Sequence, residues 1–456
     1  MSQNSIFSHL KVSALASAIA LTGILAGCGG GSSTKSVAVT AEAVATTNAD
    51  IAFAVFSDSV STAQKLKTAV DAFVDDPTQA KMDAAKKAWE AAREPYGQSE
   101  VYRFGNAIVD EWEGKVNAWP LGEAMIDYVA SKVDGNDAPD AAAPAVAPNI
   151  IADLNANVTS TTILAGLNES NGDERNVATG YHAIEFMLWG QDLNAGTTEW
   201  DGAAKRDATA GQRPISDYFT TPGTCTSGAN HAIQTDEKLC QRRGQYLKTV
   251  TQLLIEDLQF MANEWDPAGT NNYYDTYVAG GEASIAKMMA GMGRLSFGEL
   301  AGERISIARV TQDQEEEHSC FSDNTHRDIA LNAQGVQNAF LGKYTRVDGS
   351  VVQGSGLDAY LREKGFATIA DGLTTKFTAT KAATDKVSDT AAGGLPFDSQ
   401  IQGSAQNIAD IDAVIDALRA QTNSSRGASN TPSIESAAQA LGLNTGDLTQ
   451  DTEELQ

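Results

Sequence analysis

The residues Gly180-Tyr181-His182-Ala183-Ile184-Glu185 spell G-x-H-x-x-E inside an amphipathic stretch. Positions three apart on a helix lie on one face, so the His182 imidazole and the Glu185 carboxylate can reach the same point. Such a pair can ligate a metal, and the same spacing also suits a surface or hydrogen-bonded pair with no ion. A second constellation lies between Glu315 and Asp328, where two of the chain's five histidines, His318 and His326, join Cys320 and a run of acidic residues. Thiolate, imidazole and carboxylate together suit zinc or iron, with His318 and Asp323 the foremost donors. Cys320 beside Phe321 is equally consistent with a buried, inert thiol. The competing reading is a solvated acidic turn followed by a helix N-cap at Ser322 or Asp323.

Other catalytic patterns are missing. There is no H-E-x-x-H, no G-x-S-x-G, no phosphate-binding glycine loop and no C-x-x-C pair. His9 lies in the leader and His231 between Cys225 and Cys240, so neither is a good ligand candidate.

These residues have to be positioned by helices. Apolar residues recur at helical spacing over 41–74 and 80–93, with Glu94-Pro95-Tyr96-Gly97 predicted to break the second helix. The stretch 98–119 reads as loop and short helix, and 134–148 as a low-complexity Ala/Pro/Asp/Gly loop. A helix over 174–189 carries the G-x-H-x-x-E, and the turn-rich 196–228 is the best candidate boundary. Strong helices follow over 237–265 and 281–310. The second contains Gly291, Gly293, Gly298 and Gly302, a pattern that predicts close backbone or ligand approach. Further helices are expected over 323–344, 357–387 and 399–420. Period-2 runs are absent, so the class is all-α, with helices packed as antiparallel bundles.

Residues 1–27 read as a secretory leader: a polar start with Lys11, then an apolar run from Val12 to Leu25 too short to span a bilayer comfortably. Leu25-Ala26-Gly27-Cys28 resembles a lipobox, which makes Cys28 the lipidated residue and 28–42 a flexible tether. Gly29 in place of Asp points to the outer membrane. About 430 residues then remain of the 456, more than one ordinary core holds. Cys225 and Cys240 are close enough to be disulfide-bonded in an oxidising compartment. The net charge of −26 argues against nucleic acid as a partner and favours cations near the surface.

Several of these motifs together resemble the imelysin-like proteins. Gly180–Glu185 followed by Phe186-Met187-Leu188-Trp189-Gly190 is similar to their signature. Arg294-Leu295-Ser296-Phe297-Gly298-Glu299-Leu300-Ala301-Gly302-Glu303-Arg304 and Phe321-Ser322-Asp323-Asn324-Thr325-His326 look like the branch called iron-regulated protein A, and Ala88-Trp89 and Glu94–Gly97 also fit. The resemblance implies two helical bundles related by internal pseudo-symmetry, taken here as 43–205 and 206–445 with an acidic tail at 446–456, and the motif at the cleft between them. It also implies a lipoprotein of bacterial iron uptake, facing the periplasm or the cell surface and working with an iron-uptake receptor or transporter.

His182 and Glu185 supply two ligands where a catalytic zinc takes three and an open position. The expected function is therefore metal capture, iron before zinc, with Asp323, Glu299, Glu303 and His318 as donors from the second half. The alternatives are a metallopeptidase with Glu185 as general base, and an interaction protein that uses the cleft without metal.

Overall fold

In the computed structural model, residues 38–129, 149–193, 207–225, 237–423 and 431–449 are described. The leader, Cys28, the 134–148 loop, His231 and the end of the acidic tail lie outside them. The organising element is α1 (Ala41–Asp75), which Thr40 caps by accepting from the Ala43 N–H. Its apolar residues are not confined to one stripe: Val44, Ile51, Val55, Phe56, Val60, Leu66, Val70 and Phe73 are all buried. α2 (Gln79–Ser99) and a later helix, Glu237–Glu264, both lie along it.

α2 does not stop at Arg93 as the sequence predicts. It continues through Pro95 to Ser99, with Arg93, Pro95, Tyr96, Gly97 and Ser99 buried. Proline removes one helical hydrogen bond, and here the burial of the last turn outweighs that loss. The remaining principal helices are α3 (Gly180–Trp189), α4 (Glu237–Glu264), α5 (Glu282–Arg294), α6 (Thr325–Leu341), α7 (Ala367–Ala392) and α8 (Ala405–Thr422). α3 is shorter than expected, since 174–179 is not helical and Thr179 is extended. The expected helices 357–387 and 399–420 are each divided. Gly365, at φ +88°, separates Leu357–Glu363 from α7, and Ser404, in a capping box with Asn407, starts α8 after the short helix Phe397–Ile401.

The fold is helical, with one small antiparallel hairpin, Lys343–Thr345 against Val351–Gln353, among the described residues. The described residues from Val39 onward belong to one compact unit. Its larger core takes residues from α1 to α7, and a smaller one joins Leu300, Ile305, Val387, Phe397, Ile411 and Leu418. The larger core draws from both sides of the 205/206 division, because α4 packs along α1 and α3.

Candidate functional site

α3 is buried along its whole length, so each of its ten residues meets protein. Gly180 opens it at φ +83°, and a Cβ there would stand 2.5 Å from the Val116 carbonyl oxygen. The glycine of the motif is thus a backbone requirement. The Tyr181 N–H donates to that same oxygen, and Trp89 Nε1 donates to the Tyr181 carbonyl. At the other end the Arg213 guanidinium donates to the Phe186 carbonyl and Tyr218 Oη to that of Met187, which satisfies acceptors the last helical turn leaves over. Arg213 is held in turn by Asp127 and Asp217.

Within this helix the two motif residues meet. His182 Nδ1 lies 2.8 Å from Glu185 Oε2, while Glu185 Oε1 accepts from Ser322 N–H at 3.0 Å and Ser322 Oγ at 2.6 Å. His182 Nε2 is buried without a hydrogen-bond partner. Burial holds the His182 imidazole well below its ordinary pKa, with His318 and Arg93 adding to the effect. Burial pushes the Glu185 carboxyl up to about 8 against the opposing hydrogen bonds from Ser322.

A parallel arrangement comes from the second constellation. His318 stands edge-on to His182 with ring centroids 4.7 Å apart, and its Nδ1 lies 3.0 Å from Asp328 Oδ2. Asp328 also accepts from Ser319 Oγ and forms a fully buried ion pair with Arg93, whose Nη1 donates to Asn117. Burial by itself would raise the Asp328 carboxyl, but Arg93 and His318 outweigh it and hold it well below the carboxylate range. His318 is pushed down to about 3 by burial and by Arg304. Both imidazoles are therefore neutral at physiological pH.

His318 forms part of the wall of a cleft of about 470 Å³ that also includes Glu113, Trp119, Glu299, Glu303 and Arg304. The last three lie on residues 295–307, which continue α5 as a π-helix before the α-helical turn Ala308–Thr311. Glu299 and Arg304, five apart, are ion-paired at 2.8 Å through Nε. On an α-helix that spacing would point them about 140° apart, whereas the i→i+5 geometry of a π-helix brings them together. Arg304 also pairs with Glu100 and Glu299 with Arg103. Glu299 is thereby held below its ordinary range despite burial, chiefly by Arg304. Among Gly291, Gly293, Gly298 and Gly302, Gly291 shows the close backbone approach: a Cβ would lie 2.1 Å from the Val101 carbonyl oxygen.

Asp323 belongs to a third grouping. It adopts φ +60° and is joined by Asp192, three residues beyond α3, and by Asp398 in the Phe397–Ile401 helix. One ligand oxygen from each lies within 4.8 Å of the others. Asp323 Oδ1 is buried with no hydrogen-bond partner, and burial together with Asp398 and Asp192 pushes the carboxyl up to about 9. Three carboxylates crowded this way favour either a proton or a cation, and oxygen donors alone suit a hard ion such as iron(III), calcium or magnesium.

The six metal candidates from the sequence thus fall in three places: His182, Glu185 and His318 together, Asp323 with two aspartates, and Glu299 and Glu303 on the cleft wall. Ser322 joins the first two by holding Glu185. It does not cap α6, and the N-cap falls on Asn324. Cys320 is buried and its thiol pushed well above the ordinary range by burial, as expected of an inert packing group. Cys225 and Cys240 are disulfide-bonded. Sequence reading did not single out Arg93, Asn117, Asp192, Asp328 or Asp398. Asp192 lies a few residues past the motif and Asp328 closes the acidic run, but the other three carry no local signal.

The family model for imelysin matches residues 52–425. The chain belongs to the imelysin family. Its relatives include iron-regulated protein A of Synechococcus elongatus, 24% identical over 287 residues, which are 63% of this chain. The chain spans about 60% of that relative's length. Two crystal structures share the fold. One is named as an iron-regulated protein A precursor of Parabacteroides distasonis, with 17% identity, TM-score 0.55, and coverage of 86% of this chain and 97% of that one. The other, an imelysin-like protein of Psychrobacter arcticum, has 14% identity, TM-score 0.54, and coverage of 90% and 98%. At these identities they bear on the imelysin fold alone.

Proposed function

We propose that this imelysin-family chain is a metal-binding protein, with iron its first candidate, that captures and hands over its ion without bond chemistry. The observation that carries the reading is the meeting of Asp192, Asp323 and Asp398 from three separate segments beside the motif helix. Their donor set fits a hard cation, which would neutralise a grouping that otherwise keeps a carboxyl protonated. The relative's name, iron-regulated protein A, supports an iron-related role. The leader and Cys28 support export and a lipid anchor in the outer membrane, and a receptor or transporter of iron uptake is the recipient this placement suggests.

No observation favours the metallopeptidase reading, since both Glu185 oxygens are engaged, one by His182 and the other by Ser322. The test is equilibrium binding of iron(III), supplied as a weak chelate, to the purified chain, with elemental analysis of the complex. Wild type is expected to take up one ion at this grouping, and Asp323→Asn and Asp398→Asn each to weaken binding at least tenfold. Uptake unchanged in both variants would refute the trio as the site. Failure to bind any metal would leave the cleft as a docking surface for a partner.

A further inference from the structure

We infer that a cavity between α5 and the segment after the helix Ile434–Leu441 binds an elongated small dicarboxylate with an apolar middle. The inference is independent of the metal reading and uses none of its residues. The cavity measures about 460 Å³, the size of a small-molecule site. Ala283, Ala286 and Ala290 of α5 give it an apolar strip, and Phe104 and Leu443 add to its walls. Lys287 and Arg294 belong to the same helix face and also line it. They stand seven positions apart, about 10.5 Å along the helix axis, with the alanines between them.

The state of those two cations selects an anion. Lys287 Nζ donates to Tyr273 Oη at 3.0 Å and lies over that ring, while Arg294 Nε donates to the Asp447 carbonyl at 3.2 Å. Neither forms an ion pair among the described residues, in a chain whose net charge is −26. The carboxylates nearby are engaged elsewhere: Glu282 Oε1 accepts from Tyr360 and Lys364, and Asp447 Oδ1 from Thr449. With Nε used, the two Nη groups of Arg294 remain for one carboxylate, and the Lys287 ammonium has donors left for a second. The alanine methyls between them offer no polar partner, so the middle of the ligand is apolar. The walls are set before a ligand arrives. Gly105 backs onto the Lys287 carbonyl with no room for a Cβ, and Leu448 packs against Gly293, beside Arg294. Such preorganisation lowers the cost of binding.

The probe is nonanedioate, titrated calorimetrically into the purified full chain, with nonanoate and nonanediol as controls that keep one charge and none. Nonanedioate is expected to bind at one site, nonanoate at least tenfold more weakly, and nonanediol not measurably. Arg294→Gln and Lys287→Gln should each weaken nonanedioate at least tenfold, and Ala286→Phe, which fills the cavity and keeps both charges, should abolish its binding. Lys287→Arg should retain it, and Asp323→Asn should leave it unchanged. The comparison of the three probes needs no variant, so a failure to fold does not obscure the result. No saturable binding of nonanedioate, nonanoate or nonanediol bound as tightly, or an affinity unchanged in both glutamine variants would overturn the inference. None of these outcomes touches the metal reading, which stands or falls on iron uptake.

Discussion

Arg93 and Asp328, separated by 235 positions, form a fully buried ion pair with Nη2 3.0 Å from Oδ1. The pair ties α2 to α6 and fixes the carboxylate behind His318. Desolvating two charges is costly, and the hydrogen bonds from Arg93 to Asn117 and from Ser319 to Asp328 offset part of it.

Removal of one partner should expose that cost. Asp328→Ala leaves the Arg93 guanidinium buried and uncompensated, for an expected loss of about 3–5 kcal/mol. Urea denaturation measures it, and a double variant, Arg93→Met with Asp328→Ala, should recover part of the loss. A single variant within about 1 kcal/mol of wild type would contradict the burial argument.

The raised carboxyls predict a pH dependence. Glu185 and Asp323 hold their protons to about 8 and about 9 in the folded state, against ordinary values of 4.5 and 3.8. The folded protein therefore binds more protons than the unfolded chain between those limits, so their contribution is complete at acid pH and is lost as pH rises through 8 and 9. In metal-free protein, stability should fall from pH 7 to pH 9 with a limiting slope of about 1.4 kcal/mol per pH unit per group. Asp323→Asn should flatten that slope. The comparison with wild type matters, because Lys86, lowered to about 8 by burial, works in the opposite direction above that pH.

The glycine that opens the motif helix should tolerate no side chain. Gly180→Ala places a Cβ against the Val116 carbonyl at a positive φ, and a loss of about 2 kcal/mol or more is expected. Thermal melting would show it, and an unchanged midpoint would mean that the 116–117 segment yields easily.

The Cys225–Cys240 bond closes a loop of 15 residues' separation, for which chain entropy predicts about 3 kcal/mol. Denaturation with and without reductant should differ by about that amount. Cys240→Ser should match the reduced wild type, since Cys320 is buried and takes no part.

Much of the helical order was legible in the sequence because amphipathic periodicity is local. α1 and α4 fall where the spacing of apolar residues puts them, with ends within a residue or two, and the expected 281–310 helix is filled by α5, the π-helix 295–307 and the turn Ala308–Thr311 in succession. The errors came where tertiary burial overrode a local signal. Pro95 should break α2, yet the turn around it is buried, and Ser322 or Asp323 should cap α6, yet the cap falls on Asn324 and Ser322 is used to hold Glu185.

The G-x-H-x-x-E is a local statement too. Its spacing puts His182 and Glu185 on one face, and their 2.8 Å contact follows from the helix alone. What the sequence by itself determined, then, is the helical class, the motif pair, and the two stretches that carry donors. Only the tertiary structure decided which donors meet. It set His318 against His182, placed Asp323 with Asp192 and Asp398, and committed Glu299 to Arg304 through a π-helical turn. The physical reason is that donors far apart in the chain converge through core packing. Packing is a sum of many apolar contacts in which no single residue type announces its neighbour.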